Sequence, residues 1–154
     1  GVILGSGFWS SGSGTMFSQV NKGFSFYSEG VTGFVGVKDV IYCMVGLMES
    51  TCKNERFILV SENKSFKEVL FSIADAFGKK RPSRSVQPWQ ASLFWRWEWL
   101  VSKITSRKTR MSKYTAKTLH SKTYYSSDKI KKLGINKFES IEEVITSVSD
   151  DFLV

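Results

Sequence analysis

Apolar and polar positions along this chain change period several times, and each change marks an element. Val2-Ile3-Leu4 is a short apolar run and reads as a buried strand. Gly5-Ser6-Gly7 ends it, and residues 10–14, Ser-Ser-Gly-Ser-Gly, form a loop. Thr15 to Lys22 predicts a short helix with Met16, Phe17 and Val20 on one side. Gly23 to Tyr27 alternates weakly as a strand, and Gly33 to Val37 reads as another. Asp39 is placed to cap a helix from Val40 to Glu49, whose Ile41, Val45 and Met48 share a face that Val40, Met44 and Leu47 widen. Arg56 to Val60 is a continuous apolar run of the kind found in buried sheets. Ser65 caps an amphipathic helix, Phe66 to Phe77, with Val69, Leu70, Ile73 and Phe77 inward and Gly78 as its stop.

A basic loop, Lys79 to Pro88, holds both prolines of the chain. Trp89 to Ile104 predicts a long aromatic helix, Thr105 to Met111 a basic linker and Ser112 to His120 a short helix. In the tail, Ser127 or Asp128 can cap a short helix carrying Lys129, Ile130 and Leu133, and Gly134 supplies the left-handed residue that ends it. Ser140 with Glu143 three residues on forms a capping box for a last helix. That helix places Ile141, Val144, Ile145 and Val148 on one face. Strands and helices alternate, so the fold class is α/β, or α+β for the chain in isolation.

The length, 154 residues, is one domain with enough chain to bury a core. Aromatic residues make up 14%, which demands a core, a pocket or a partner to cover them. The net charge of +8 favours anionic partners in general, without choosing among nucleotide phosphates, nucleic acid and a membrane surface. No nucleic-acid module is legible, so nucleic acid and a membrane surface are not the expected partners; a stand-alone basic module binding one of them is the alternative reading. No apolar run is long enough to span a bilayer and no secretory leader is visible, so the expected location is the cytoplasm. The two cysteines, Cys43 and Cys52, and the lone His120 are too few for a zinc site. Cys43 reads as a small core residue and His120 as a surface one.

The tail YYSSDKIKKLGINKFESIEEV, from Tyr124 to Val144, resembles the C-terminal end of the extended short-chain dehydrogenase/reductases. There, a short helix, Leu-Gly and a capped last helix follow in this order; the family's usual Pro is replaced by Lys137-Phe138. VILGSG at the start is similar to the family's strand and Gly-rich turn, without its Asn-Pro. GFSFYSEGVTGFVGVKDVIYCMVGLMES is similar to its Val-x-Asp-Val segment, with Asp39 as the aspartate. ERFILVSENKSFKEVLFSIADAFGKKRP is similar to the segment that follows. The resemblance runs from Gly1 to Val144 and has the flavour of NAD-dependent epimerase/dehydratases and dihydroflavonol-reductase-like enzymes.

The resemblance implies a Rossmann-type enzyme of which this chain is the C-terminal, substrate-binding half. The family's dinucleotide fingerprint and its Tyr-x-x-x-Lys are not in the chain. Tyr114 and Lys117 are too close, and Tyr125 and Lys129 have the spacing but lie at the wrong place. Implied partners are an N-terminal Rossmann half and a small-molecule substrate, with pairing of strand Val2–Leu4 to a second copy left open. NAD or NADP is implied for the longer protein and no cofactor for this chain alone. The implied substrate contacts are Gly5, Ser6, Gly7, Phe8, Trp9, Tyr27, Phe34 and Val35, and the implied cofactor contacts are Leu4 and Gly5. Phe8 and Trp9 suit either an apolar substrate wall or packing on the segment's own core.

Overall fold

The computed structural model describes residues 1–87 and 120–153. The expected aromatic helix at 89–104, the basic linker and nearly all of the helix at 112–120 lie outside the described residues, as does the pair Tyr114 and Lys117.

The architecture is mixed α/β, with short strands and several helices. The element order is β1 (Val2–Leu4), α1 (Gly14–Asn21), β2 (Phe26–Tyr27), β3 (Val31–Gly36), α2 (Val37–Glu49), β4 (Glu62–Ser65), α3 (Phe66–Ala76), β5 (Arg84–Ser85), α4 (Asp128–Lys131) and α5 (Ile141–Leu153). One sheet has the order β1-β3-β4, and β2 and β5 form a separate two-stranded ribbon. β1 runs parallel to β3 with Val2 opposite Phe34 and Leu4 opposite Gly36. β4 runs antiparallel to β3 with Val31 opposite Ser65 and Phe34 opposite Glu62.

Side chains alternate across a strand, so Leu4 and Phe34 share one sheet face. Both are fully buried there with Phe17, Val69, Ile73, Ile141 and Ile145 from α1, α3 and α5. On the other face a smaller cluster joins Cys43 to Ile130 and Ile135, with Leu47, Phe57, Leu59 and Phe138 against it. Cys43 is the core residue its neighbours in sequence imply.

The two capped helices form as their sequences dictate. The Ser65 hydroxyl accepts from Glu68 N–H, and the Glu68 carboxylate accepts from Ser65 N–H, a reciprocal cap on α3. Ser140 and Glu143 make the same exchange at the start of α5. Gly78 and Gly134 take φ of +61° and +80° where their helices stop.

Four expectations are corrected. Arg56–Val60 forms no ladder; the strand is the polar run Glu62–Ser65. The apolar run is extended, but it sends Phe57 and Leu59 into the second cluster and its backbone to the tail. The Val60 carbonyl accepts from the Ser127 hydroxyl at 2.8 Å, and the Arg56 carbonyl from Lys129 Nζ at 3.1 Å. The strand expected over 23–27 is confined to Phe26–Tyr27, which pairs in parallel with Arg84–Ser85 inside the expected basic loop. Asp39 is not a cap: α2 starts directly after β3 with Gly36 as its N-cap, which puts Asp39 in the first turn. Neither Ser127 nor Asp128 caps α4 through its side chain. Ser127 is spent on Val60, and the Ser126 hydroxyl accepts from Asp128 N–H instead.

Candidate functional site

β1 and β3 end side by side, at Leu4 and Gly36, and both carboxyl ends open on one shallow groove. Gly5 and Ser6 form one lip, Val37 and Lys38 of α2 another, and Glu139 with Val144, Ser147, Val148 and Asp151 of α5 the third. Two glycines make this convergence possible. A Cβ on Gly36 would lie 2.9 Å from Val144 Cγ2, so α5 can seat over the end of β3 only where that residue has no side chain. A Cβ on Gly5 would lie 2.8 Å from Val37 Cγ1, which brings the end of β1 against the start of α2.

The polar groups on the groove are one cation, two hydroxyls and two carboxylates. Lys38 Nζ reaches the Ser147 hydroxyl at 3.5 Å. Beneath them, the buried Asp39 carboxylate accepts the Glu139 N–H at 3.2 and 3.3 Å through its two oxygens. Burial pushes the Asp39 pKa above its ordinary 3.8; the N–H groups of Glu139 and Gly36 oppose this, and the Glu139 charge adds to it. Asp39 thus pins the entry to α5 onto the first turn of α2. Burial, with the charge of Asp39, also pushes the Cys43 thiol up, in keeping with its packing in the second cluster.

A second polar network fixes the other side of α5. Glu62 accepts the Ile141 N–H at 2.8 Å, one of the donors that a helix start leaves unpaired. Lys64 bridges Glu62 at 3.2 Å and Glu142 at 3.3 Å. Burial opposes the Lys64 charge, but its two carboxylate partners outweigh it and raise its pKa.

The residues named from sequence fall into four groups. Gly5 and Ser6 line the groove, and Leu4 contributes to its floor while its side chain is fully buried. Phe34 and Val35 are core: Phe34 packs edge-on against Phe66 at 5.8 Å between ring centroids. Tyr27 lies on the β2–β5 ribbon against Phe71, with Lys67 Nζ 5.3 Å from its ring centroid. Gly7 has a φ of +109° with open space around it, and Phe8 beside it is highly exposed. Trp9 turns the other way. It packs edge-on against Phe152 at 4.6 Å and near Phe17, and its carbonyl accepts from the Ser18 hydroxyl. Trp9 is therefore core and Phe8 is free.

Tyr125 and Lys129 are each engaged elsewhere. A Cβ on Gly33 would meet the Tyr125 ring, and Lys129 pairs with Glu55 at 2.8 Å over the Phe57 ring. His120 is half-buried, with Nε2 shielded from solvent. Sequence reasoning missed Lys38, which reaches the groove because α2 starts at the end of β3, and Glu139, Ser147 and Asp151, which line it with Ser6 because the chain into and along α5 folds back across the strand ends. No local pattern signals that.

Nine residues, 5–13, separate β1 from α1, so no helix N-terminus directly follows the turn after β1 as one does where a pyrophosphate is received. The space beside Gly5 is taken by Val37. Among the described residues no three metal-ligating side chains cluster, and no helix is long and apolar enough to cross a membrane.

No protein-family model matches the sequence, and no curated protein matches it. Solved structures do. The structure of gox2253 matches over 99% of this chain and 47% of its own, with 20% identity and a TM-score of 0.76. The Bordetella bronchiseptica enzyme WbmH, solved in complex with NAD+, matches over 99% of this chain and 43% of its own, with 14% identity and a TM-score of 0.63. The chain therefore spans less than half the length of either structure, and it shares the α/β fold of the matching part of each.

Proposed function

We propose that this chain is the substrate-binding part of an NAD(P)-dependent reductase, epimerase or dehydratase of the extended short-chain dehydrogenase/reductase kind, inactive by itself. The observation that carries this reading is the groove at the paired carboxyl ends of β1 and β3. Open α/β sheets bind ligands beyond the carboxyl ends of their strands. Here that region is walled by a helix from the far end of the chain and holds a cation, hydroxyls and carboxylates. Those groups suit a small polar substrate. The dinucleotide and the proton-transferring residues belong to the further chain that accompanies this fold in proteins twice its length. No hydride or proton step is assigned to the residues described here.

The test compares two preparations. One is this chain alone; the other is the polypeptide isolated from its source cells with an antibody raised to this chain. Each is assayed for NADH and NADPH oxidation against a panel of carbonyl compounds, and for turnover of nucleotide sugars. The chain alone is expected to be inactive and the native polypeptide active. Turnover by the chain alone, or none by a longer native polypeptide, would overturn the reading.

A further inference from the structure

Helix α2 is inverted. Its acidic first-turn residue Asp39 is buried, while Val37, Ile41, Met44, Val45 and Met48 are exposed, from 40% at Val37 to 82% at Met48. At 3.6 residues per turn, these five positions fall within about 100° of one another, a single apolar stripe. The stripe continues onto the sheet. Ile3 of the edge strand β1 is 51% exposed, and it pairs in register with Val35, on the face opposite Phe34. Gly5, just past the end of β1 and two residues from Ile3, meets Val37 at the start of α2. Parallel strands are ordinarily covered on both faces; here one face of β1 is open beside a helix that turns its apolar side outward.

We propose that the α2 stripe with Ile3 is the seam onto which the nucleotide-binding half of a longer polypeptide packs, with a helix of that half lying over Ile3 and the stripe. The inference rests on the reading given under Proposed function. Two facts choose this occupant. The whole of this fold occurs in solved chains of more than twice its length, at TM-scores of 0.76 and 0.63, so it coexists there with more than its own length of further chain. And the uncovered surface borders the free edge of β1, which pairs in parallel with β3 on its other side; such an edge is completed by a further strand of the same sheet rather than by a small ligand.

Methionine oxidation reads the seam directly, because Met44 and Met48 lie on the stripe while Met16 packs against the core. The chain alone and the native polypeptide are treated with dilute hydrogen peroxide, and sulfoxide formation at the three sites is followed by mass spectrometry. In the chain alone Met44 and Met48 oxidise ahead of Met16; in the native polypeptide that fast phase is lost. Equal rates at Met44 and Met48 in both preparations would overturn the proposal. So would protection in the chain alone, accompanied by a sedimenting dimer that Ile41→Glu dissociates, since a second copy would then be the occupant. Assaying NAD(P)H oxidation on the same native preparation separates the two ideas. Activity without protection overturns the seam alone, and protection without activity overturns the functional reading alone. A native polypeptide no longer than this chain overturns both.

Discussion

Seating of α5 over the end of β3 depends on a single missing side chain, and a double-mutant cycle between Gly36 and Val144 measures it. Gly36 has a φ of −72° and a ψ of 146°, which alanine adopts without strain, so Gly36→Ala tests space and not backbone freedom. The new methyl would lie 2.9 Å from Val144 Cγ2, 3.6 Å from Cγ1 and 3.3 Å from Asp39 Oδ2. Overpacking of this kind costs about 1–3 kcal/mol. Alanine is also the poorer N-cap, which adds to the loss. Val144→Ala removes two buried methyl groups at about 0.8 kcal/mol each, plus the cavity left behind, for a total near 2 kcal/mol. The clashing Cγ2 disappears in the second variant, while the Asp39 Oδ2 contact at 3.3 Å remains. The double variant is therefore expected to be about 1–2 kcal/mol more stable than the sum of the single losses predicts. Urea unfolding followed by far-ultraviolet circular dichroism gives the four free energies. For a chain of this size each 1 kcal/mol corresponds to about 2–4 °C in melting temperature. Additivity within about 0.5 kcal/mol would refute the reasoning, because it would mean that Val144 does not stand over residue 36.

Three further substitutions probe the frame around the groove. Ser65→Ala removes the reciprocal cap of α3 and is expected to cost about 1 kcal/mol near neutral pH. The Ser65 hydroxyl and N–H hold the Glu68 pKa below 4.5, so this contribution is full above that value and fades as pH falls through the lowered one; urea midpoints of parent and variant should converge in acid. Asp39→Asn behaves oppositely. Burial raises the Asp39 pKa above 3.8, so the folded state holds this proton more tightly than the unfolded chain. The site's contribution is therefore greatest below 3.8 and declines as pH rises through the raised value. The stability of Asp39→Asn relative to the parent should rise over that interval, and a difference independent of pH would refute the burial argument. Gly78→Ala puts a Cβ on a residue with φ of +61° and should cost about 1–2 kcal/mol in thermal unfolding, although nothing lies within reach of the new methyl.

Elements that satisfy themselves locally were legible in the sequence. α3 and α5 each carry a Ser-x-x-Glu box, an apolar stripe and, for α3, a terminal glycine, and all three signals concern residues within one or two turns of each other. The Gly5-Ser6 lip of the groove was legible in the same way, as a turn that ends a strand. The groove's other walls were not, because Ser147 and Asp151 reach it through the docking of α5, and Lys38 through the pairing of β1 with β3, rather than through any spacing along the chain. Strand assignment failed where composition and pairing part company. Arg56–Val60 has the apolar content of a buried strand, yet its carbonyls are taken by Ser127 and Lys129. Glu62–Ser65 has no strand-like residue at all, yet it pairs because the backbone of β3 lies open beside it and its side chains serve α5.

The same limit explains α2. Periodicity locates an apolar face but does not say what that face meets. Val37, Ile41, Met44, Val45 and Met48 repeat at helical spacing as faithfully as the buried residues of α3, and in this chain they meet solvent. The opposite side of α2 carries Cys43, fully buried, and Asp39, whose carboxylate is committed to Glu139. The helix cannot roll its stripe inward without exposing Cys43 and breaking that hold on α5. Its orientation is therefore set by contacts within the chain, and its apolar stripe is left for a surface outside it. Ile41→Glu sharpens the distinction. In the chain alone the substitution falls on an exposed position and is expected to change stability by no more than about 0.5 kcal/mol. In a longer polypeptide with the stripe covered, it buries an unpaired carboxylate and should cost several times as much. Equal, small effects in both would mean that the stripe stays in water.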